Sequence, residues 1–263
     1  MSDFLYGHWA VMEALRANRR QGEQLLLTEG ADEGGRSAVI IALAEERGLP
    51  LRRVPRRIMD DLADGANHQN VVLRVSPYPY AAGEDVLALA EERDERPFLL
   101  LLDLLQDPQN VGSLLRVADA VGVHGVFLPQ RNAVTITPAV VNASAGAIEH
   151  LNVIRVPNLV NAMKALKAQD VWLVGLEAGA DIPPLGQTDL NMALGLVLGS
   201  EGQGMRRLVR DNCDMLLSLP MRGQVASLNV ATVGSIALYS AWQARGWEGQ
   251  TAPVAASGTG GRP

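Results

Sequence analysis

The chain has 263 residues, 48% hydrophobic and 20% charged, with a net charge of −6, proportions of a globular protein long enough for one large domain or two modest ones. No apolar run reaches the roughly 18 residues of a membrane span. The acidic balance argues against indiscriminate nucleic-acid binding, and DNA is not an expected partner. Its one cysteine and four scattered histidines leave little for a disulfide or a metal site.

The opening residues "MSDFLYGHWAVMEALR" lack the basic-then-apolar pattern of an export signal, so a cytosolic, metal-free protein is expected. "HWAVMEALRAN" has helical spacing, "EQLLLTE" reads as a strand and "RSAVIIALAEER" as a helix. "LRRV", "PRRIMDDLAD" and "NVVLRV" then read as strand, helix and strand, which makes a small α/β unit. Residues 76–97 combine three prolines with six acids and two arginines, the composition of a linker with one helical turn in it.

From Phe98 a second alternation begins. Strand "FLLLLDLL", helix "NVGSLLRVADAVG", strand "GVFLPQ", a helix through "TPAVVNASAGAIEH", strand "NVIRV" and helix "LVNAMKALKAQ" come first. Strands "VWLVGLE" and "LGLVLGS", helix "MRRLVRDN", strand "MLLSLP" and a helix from about Ser227 to Arg245 complete it. Near-continuous apolar strands between helices predict a parallel sheet covered on both faces. The polar tail "TAPVAASGTGGRP" is expected to be disordered. Among 21 arginines and two lysines, the clusters Arg52–Arg57 and Met205–Arg210 are candidates for a locally basic surface, since guanidinium suits phosphate.

Three stretches carry unusual polar residues. In "DLLQDPQNVGSLLRVADAVG", Asn110 reads as the cap of the helix after the Pro108 turn. Arg116 lies beside the apolar positions Leu114, Leu115 and Ala118, and a pairing with Asp119 would contribute only tenths of a kcal/mol. In "LGLVLGSEGQGMRRL" a buried strand runs into a loop holding Gly199, Glu201, Gly202 and Gly204. That spacing is neither a dinucleotide fingerprint nor a Walker loop, but bare backbone at a strand's carboxyl end suits a ligand. In "LSLPMRGQVASLNVATVGSIAL", Ser227 fits a helix N-cap with Asn229 in the first turn, which leaves Asn229 and Thr232 unexplained on an apolar helix.

In order and spacing, N-V-G-x-x-x-R, G-S-E-G-x-G and L-P-M-x-G-x-V-x-S-L-N-V resemble the motif set of the SpoU (TrmH-type) RNA 2′-O-methyltransferases. The stretches "YGHWAVMEALR" and "GANHQNVVLRV" are similar to the ribosomal-RNA branch typified by RlmB. The likeness runs from about Leu5 to Arg245 and fails in the linker and tail. It implies an α/β SPOUT fold, a parallel sheet with a C-terminal trefoil knot, preceded by a small α/β domain similar to RNA-binding ribosomal proteins. The implied organisation is an RNA substrate-binding domain over 1–75, a linker over 76–97, a methyltransferase domain over 98–246 and a tail over 247–263.

The resemblance also implies S-adenosylmethionine as co-substrate, bound by Leu198, Gly199, Gly204, Leu219, Pro220, Ser227 and Leu228, in a homodimer whose site crosses the interface. The implied acceptor is the ribose 2′-hydroxyl of a guanosine in 23S rRNA. Asn110, Arg116, Glu201, Ser227 and Asn229 become the catalytic set, with Arg116 gripping phosphate and ribose and Glu201 holding Arg116. The family's arginine is proposed as the base, although guanidinium normally stays protonated. The competing readings are a tRNA 2′-O-methyltransferase, which typically lacks the N-terminal domain, and a catalytically silent RNA-binding or ribosome-assembly factor.

Overall fold

A computed structural model describes residues 2–179, 181–224 and 227–250. The first unit runs β1 (Asp3–Tyr6), α1 (His8–Ala17), β2 (Gly22–Thr28), α2 (Arg36–Glu46), β3 (Leu51–Val54), α3 (Arg56–Leu62) and β4 (Val71–Val75). Its sheet has the order β1-β4-β2-β3, with β4 antiparallel to both neighbours and β2 parallel to β3. Alternation sorts the strand side chains. Leu25, Leu27, Val71 and Leu73 join the core under α1 and α2, while Leu26 and Val72 pack with Met59 of α3, the period-two pattern of a sheet with both faces covered. β1, four residues long, was not expected from the sequence.

The second unit comprises α4 (Gly83–Glu92), β5 (Phe98–Leu102), α5 (Pro108–Ala120), β6 (Gly125–Pro129), α6 (Pro138–Ala143), β7 (Val153–Val156), α7 (Leu159–Lys167), β8 (Trp172–Leu176), β9 (Leu194–Leu198), α8 (Arg207–Arg210), β10 (Met215–Leu217) and α9 (Val230–Ala244). Its six strands are all parallel, in the order β10-β8-β9-β5-β6-β7. Phe98, Leu100 and Leu102 face the core shared with α5, α6 and α9, whereas Leu99 and Leu101 face α4, α7 and α8. Apolar residues on both sides of every central strand are what a doubly covered parallel sheet requires. The order reverses between β5 and β9, and ligands of such sheets bind at the carboxyl ends of strands at that switch.

Two expected elements differ. The segment 76–97 is not a bare linker: α4 buries Val86 and Ala90, and Val86 lies so close to Gly125 that a Cβ there would sit 1.9 Å from its Cγ1. The single helix expected through "TPAVVNASAGAIEH" is broken. Ala145 and Gly146 take φ of 52° and 85°, and a Cβ on Gly146 would lie 2.9 Å from the Trp9 carbonyl of α1. Tertiary contact with the first unit therefore ends α6, and a 3-10 turn (Ala147–His150) follows. The tail from residue 251 lies outside the described residues.

The two units share one apolar core and a buried polar clamp. Arg20, after α1, donates through Nη1 to Asp3 at 2.8 Å and through Nε to Glu149 at 3.1 Å, and both Arg20 and Glu149 are buried. Arg19 reaches the Leu151 carbonyl and Asn152, and the Tyr78 hydroxyl donates to the same carbonyl. Burial pushes the Tyr78 phenol up to about 12, so it stays a donor.

Candidate active site

Asp107, not Asn110, caps α5. Its carboxylate accepts the backbone N–H of Gln109 and Asn110 at 3.3 and 3.0 Å, with Pro108 in the first helical turn, as its fixed φ favours. Asn110 is thereby one turn inside the helix with its side chain free for another partner. Gly112, two residues on, touches Ala143 so closely that a Cβ would sit 2.4 Å from it, which seats α5 on α6.

The loop after β9 folds back on itself. Ser200 and Gly204 exchange backbone hydrogen bonds of 3.1 and 2.9 Å, and Gly202 and Gly204 adopt φ of 81° and 67°. Gly199 is required by space, since a Cβ there would lie 2.1 Å from the Gly204 carbonyl carbon and the Met205 nitrogen. Arg206 fastens the far end of this loop. Its backbone N–H, Nε and Nη2 donate to the Asp103 carboxylate at 2.9, 2.9 and 2.6 Å. Asp103 is wholly buried at the end of β5, so this charge is compensated by a guanidinium and a main-chain donor together.

Asn229 joins the pieces. Its Oδ1 accepts the N–H of Ala231 at 2.8 Å and of Thr232 at 3.4 Å, so it, and not Ser227, caps α9. Its Nδ2 donates to Asn110 Oδ1 at 2.9 Å and to Glu201 Oε1 at 2.6 Å. One amide thus ties the starts of two helices to the glycine loop. α9 is held on α5 and β9 at Gly234, where a Cβ would meet Leu114 and Leu198 at 2.3 and 2.6 Å.

Two hollows meet at this amide. A cavity of about 640 Å³ includes Leu198, Gly199, Gly204, Leu219, Ser227 and Leu228 in its walls, but not Pro220. A cleft of about 420 Å³ is walled by Leu104, Asp107, Asn110 and Asn132. Ser200, Glu201, Gln203 and Val230 belong to both. Leu104 holds φ of 60°, a sparsely populated conformation for a branched side chain that is found most often where a surface is built for function.

Arg116 does not join the cluster. It is exposed on α5 and lines neither hollow. Within this chain Glu201 does not hold it: Glu201 Oε1 accepts from Asn229 Nδ2, with the Val230 N–H at 3.5 Å. The helix explains the separation, because six residues turn Arg116 about 120° from Asn110 and carry it about 9 Å along the axis. Cys213 supplies no nucleophile: burial pushes its thiol up to about 12, so it stays protonated. Among the described residues, no group of three or more His, Cys, Asp and Glu side chains is placed to hold a metal ion.

Residues 97–239 match the SpoU rRNA methylase family, and residues 4–81 match the RNA 2′-O ribose methyltransferase substrate-binding domain. The chain belongs to the SpoU rRNA methylase family. It is 37% identical to the 23S rRNA (guanosine-2′-O-)-methyltransferase RlmB of Escherichia coli, over 93% of this chain and 100% of that protein. It is 42% identical to YacO of Bacillus subtilis, which carries a TrmH family tRNA/rRNA methyltransferase designation, over 92% of this chain and 96% of that one. The crystal structure of the SpoU methyltransferase AviRb from Streptomyces viridochromogenes, with the cofactor AdoMet, superposes with a TM-score of 0.76. That likeness has 24% identity and covers 93% of this chain and 90% of AviRb. The protein is accordingly an RNA 2′-O-methyltransferase of the SpoU family.

Asp103, Asp107 and Asn132 were not expected in the site from the sequence, and Arg206 only as part of the basic cluster Met205–Arg210. An Asp directly before Pro108 was a readable cap signal, and a lone acid closing the run "FLLLLD" was a weaker one. Nothing local distinguishes Arg206 from Arg207.

Proposed function

We propose that this chain transfers the methyl group of S-adenosylmethionine to the ribose 2′-hydroxyl of a guanosine in 23S rRNA. The observation that carries the reading is the shared Asn229 amide, which binds Asn110 and Glu201 where the two hollows touch. The larger cavity fits the donor. Leu198, Leu219 and Leu228 offer apolar walls for an adenine, and the bare backbone at Gly199, Gly202 and Gly204 allows main-chain hydrogen bonds at close range. The smaller cleft takes the acceptor nucleotide.

When bound, the donor supplies an already activated sulfonium methyl, so the protein's task is alignment. Positioning contributes on the order of 7–11 kcal/mol, against about 3–5 for a general base. Asn110 and Asn229 fix the wall between the hollows, Glu201 holds Asn229, and Ser227 lies beside the donor. Arg116 anchors phosphate and ribose in a site completed by a second protomer. The exposed Ile236 and Tyr239 on α9, which packs on α5, support a homodimer through that face. The reading includes a trefoil knot, supported by β10 lying at the sheet edge beside β8 while α9 returns to α5 and β9. It places an RNA substrate-binding domain over 1–75 and the enzyme in the cytosol, where ribosomal RNA is made.

The test is incubation with unmodified 23S rRNA transcript and methyl-labelled S-adenosylmethionine, followed by mapping of alkali-resistant linkages. A single ribose-methylated guanosine is expected. Label entering tRNA transcripts instead would transfer the reading to a tRNA 2′-O-methyltransferase, and donor binding without transfer to either RNA would leave a silent binder.

A further inference from the structure

A third hollow, of about 390 Å³, opens beside the acceptor cleft and shares Asn132 with it. Its walls come from the end of β6 and the residues after it (Pro129, Arg131, Asn132), from the turn into α7, and from Arg206 to Val209 around α8. In a chain of net charge −6, these walls carry three arginines and no acid. Arg131 is exposed and makes no hydrogen bond or ion pair among the described residues. The Arg207 side chain is 91% exposed, with only Asp211 near it at 3.5 Å.

Arg206 gives the hollow a fixed donor, its charge balanced by Asp103. Nε and Nη2 are held by buried Asp103, so the guanidinium cannot swing away, and its Nη1 makes no hydrogen bond among the described residues. A held guanidinium flanked by the exposed guanidinium groups of Arg131 and Arg207 is preorganised for an anion with several acceptor oxygens. Leu208, 67% exposed, lines the same hollow and offers an apolar surface beside the charges.

We infer that this hollow is an RNA phosphate subsite, in which Arg131, Arg206 and Arg207 grip the backbone of nucleotides flanking the one in the acceptor cleft. The assignment rests on the RNA-methylating reading of that cleft. It also gives the "MRRLVR" cluster a role that charge counting left open. Contacts to phosphate set position and affinity rather than base identity, so the hollow fixes how the strand enters the site while other surfaces choose the sequence.

The test uses the full chain and fluorescence anisotropy with unmodified 23S rRNA transcript, with S-adenosylhomocysteine calorimetry in parallel. Arg131→Ala/Arg207→Ala raises the RNA Kd at least ~10-fold and lowers the slope of log K against log salt by roughly 1 per arginine removed. The RNA KM rises by a similar factor, kcat falls less than about threefold, and S-adenosylhomocysteine binding stays within about twofold. Arg131→Lys/Arg207→Lys keeps the charges and recovers most of the salt slope. The inference is overturned if the alanine variant matches the wild type in both RNA Kd and salt slope. Failure of the wild type to bind the donor product or to methylate RNA would instead sink the proposed function, because anisotropy reads the subsite without catalysis.

Discussion

Asn229→Asp separates the two duties of this side chain. As an N-cap, Asp serves about as well as Asn, so the Oδ1 bonds to Ala231 and Thr232 persist and helix stability changes by only tenths of a kcal/mol. The donor at Nδ2 is replaced by a second carboxylate oxygen, 2.6 Å from Glu201 Oε1. At that separation two unit charges repel by about 1.6 kcal/mol in bulk water, and the lost hydrogen bond to a charged acceptor adds about 1.5–3 kcal/mol. The sum, roughly 3–5 kcal/mol, pushes the glycine loop off the helix start and lowers the rate about 10²–10⁴-fold. Single-turnover methyl transfer at saturating RNA measures this, alongside a thermal melt. Adding Glu201→Gln restores a donor facing the new carboxylate and recovers at least about tenfold, a coupling read by a double-mutant cycle. Retention of the wild-type rate within about threefold by a folded Asn229→Asp protein would refute the reasoning.

Gly199→Ala brings a Cβ to 2.1 Å from main-chain atoms of Gly204 and Met205, so calorimetry is expected to show S-adenosylhomocysteine affinity reduced at least ~100-fold, about 2.7 kcal/mol; undiminished affinity would remove the glycine loop from the donor site. Glu149→Gln leaves buried Arg20 with Asp3 alone and costs about 3–5 kcal/mol in urea unfolding, whereas Arg20→Met/Glu149→Leu costs much less. His124 is held near 4 by burial and by the charges of Arg93 and Arg245, and its Nδ1 already accepts the Phe98 N–H. The unfolded chain therefore takes up the extra proton first, and stability falls by about 3 kcal/mol as pH drops from 6.5 to 4; His124→Asn flattens that fall in melts against pH. His150 has the opposite sign. Its hydrogen bond to Glu13 raises it, so its contribution is complete below about 6.5 and is lost as pH rises through the raised value, which His150→Gln removes.

The parallel sheet was legible because "FLLLL" and "LGLVL" are apolar at every position, a pattern that only strands covered on both faces tolerate. The three motifs were legible because their glycines and amides interrupt otherwise apolar periodicity. Local sequence misplaced both helix caps by two or three residues, since Asn110 and Ser227 fit a cap in isolation and only tertiary partners decide between them and Asp107 and Asn229. The break at Ala145 and Gly146 was hidden because it is imposed by α1, more than 120 residues earlier in the chain. Arg116 illustrates a different limit. Motif spacing assigns it a role, yet within one protomer the helix turns it away from the amide cluster, and no property of a single sequence states which copy it serves.

The most direct measurement is a crystal structure with S-adenosylhomocysteine bound. The account predicts the adenine between Leu198, Leu219 and Leu228, the sulfur directed toward the wall formed by Asn229 and Glu201, and Asn110 still bonded to Asn229. Ligand density outside the 640 Å³ cavity, or a sulfur facing away from the acceptor cleft, would contradict it.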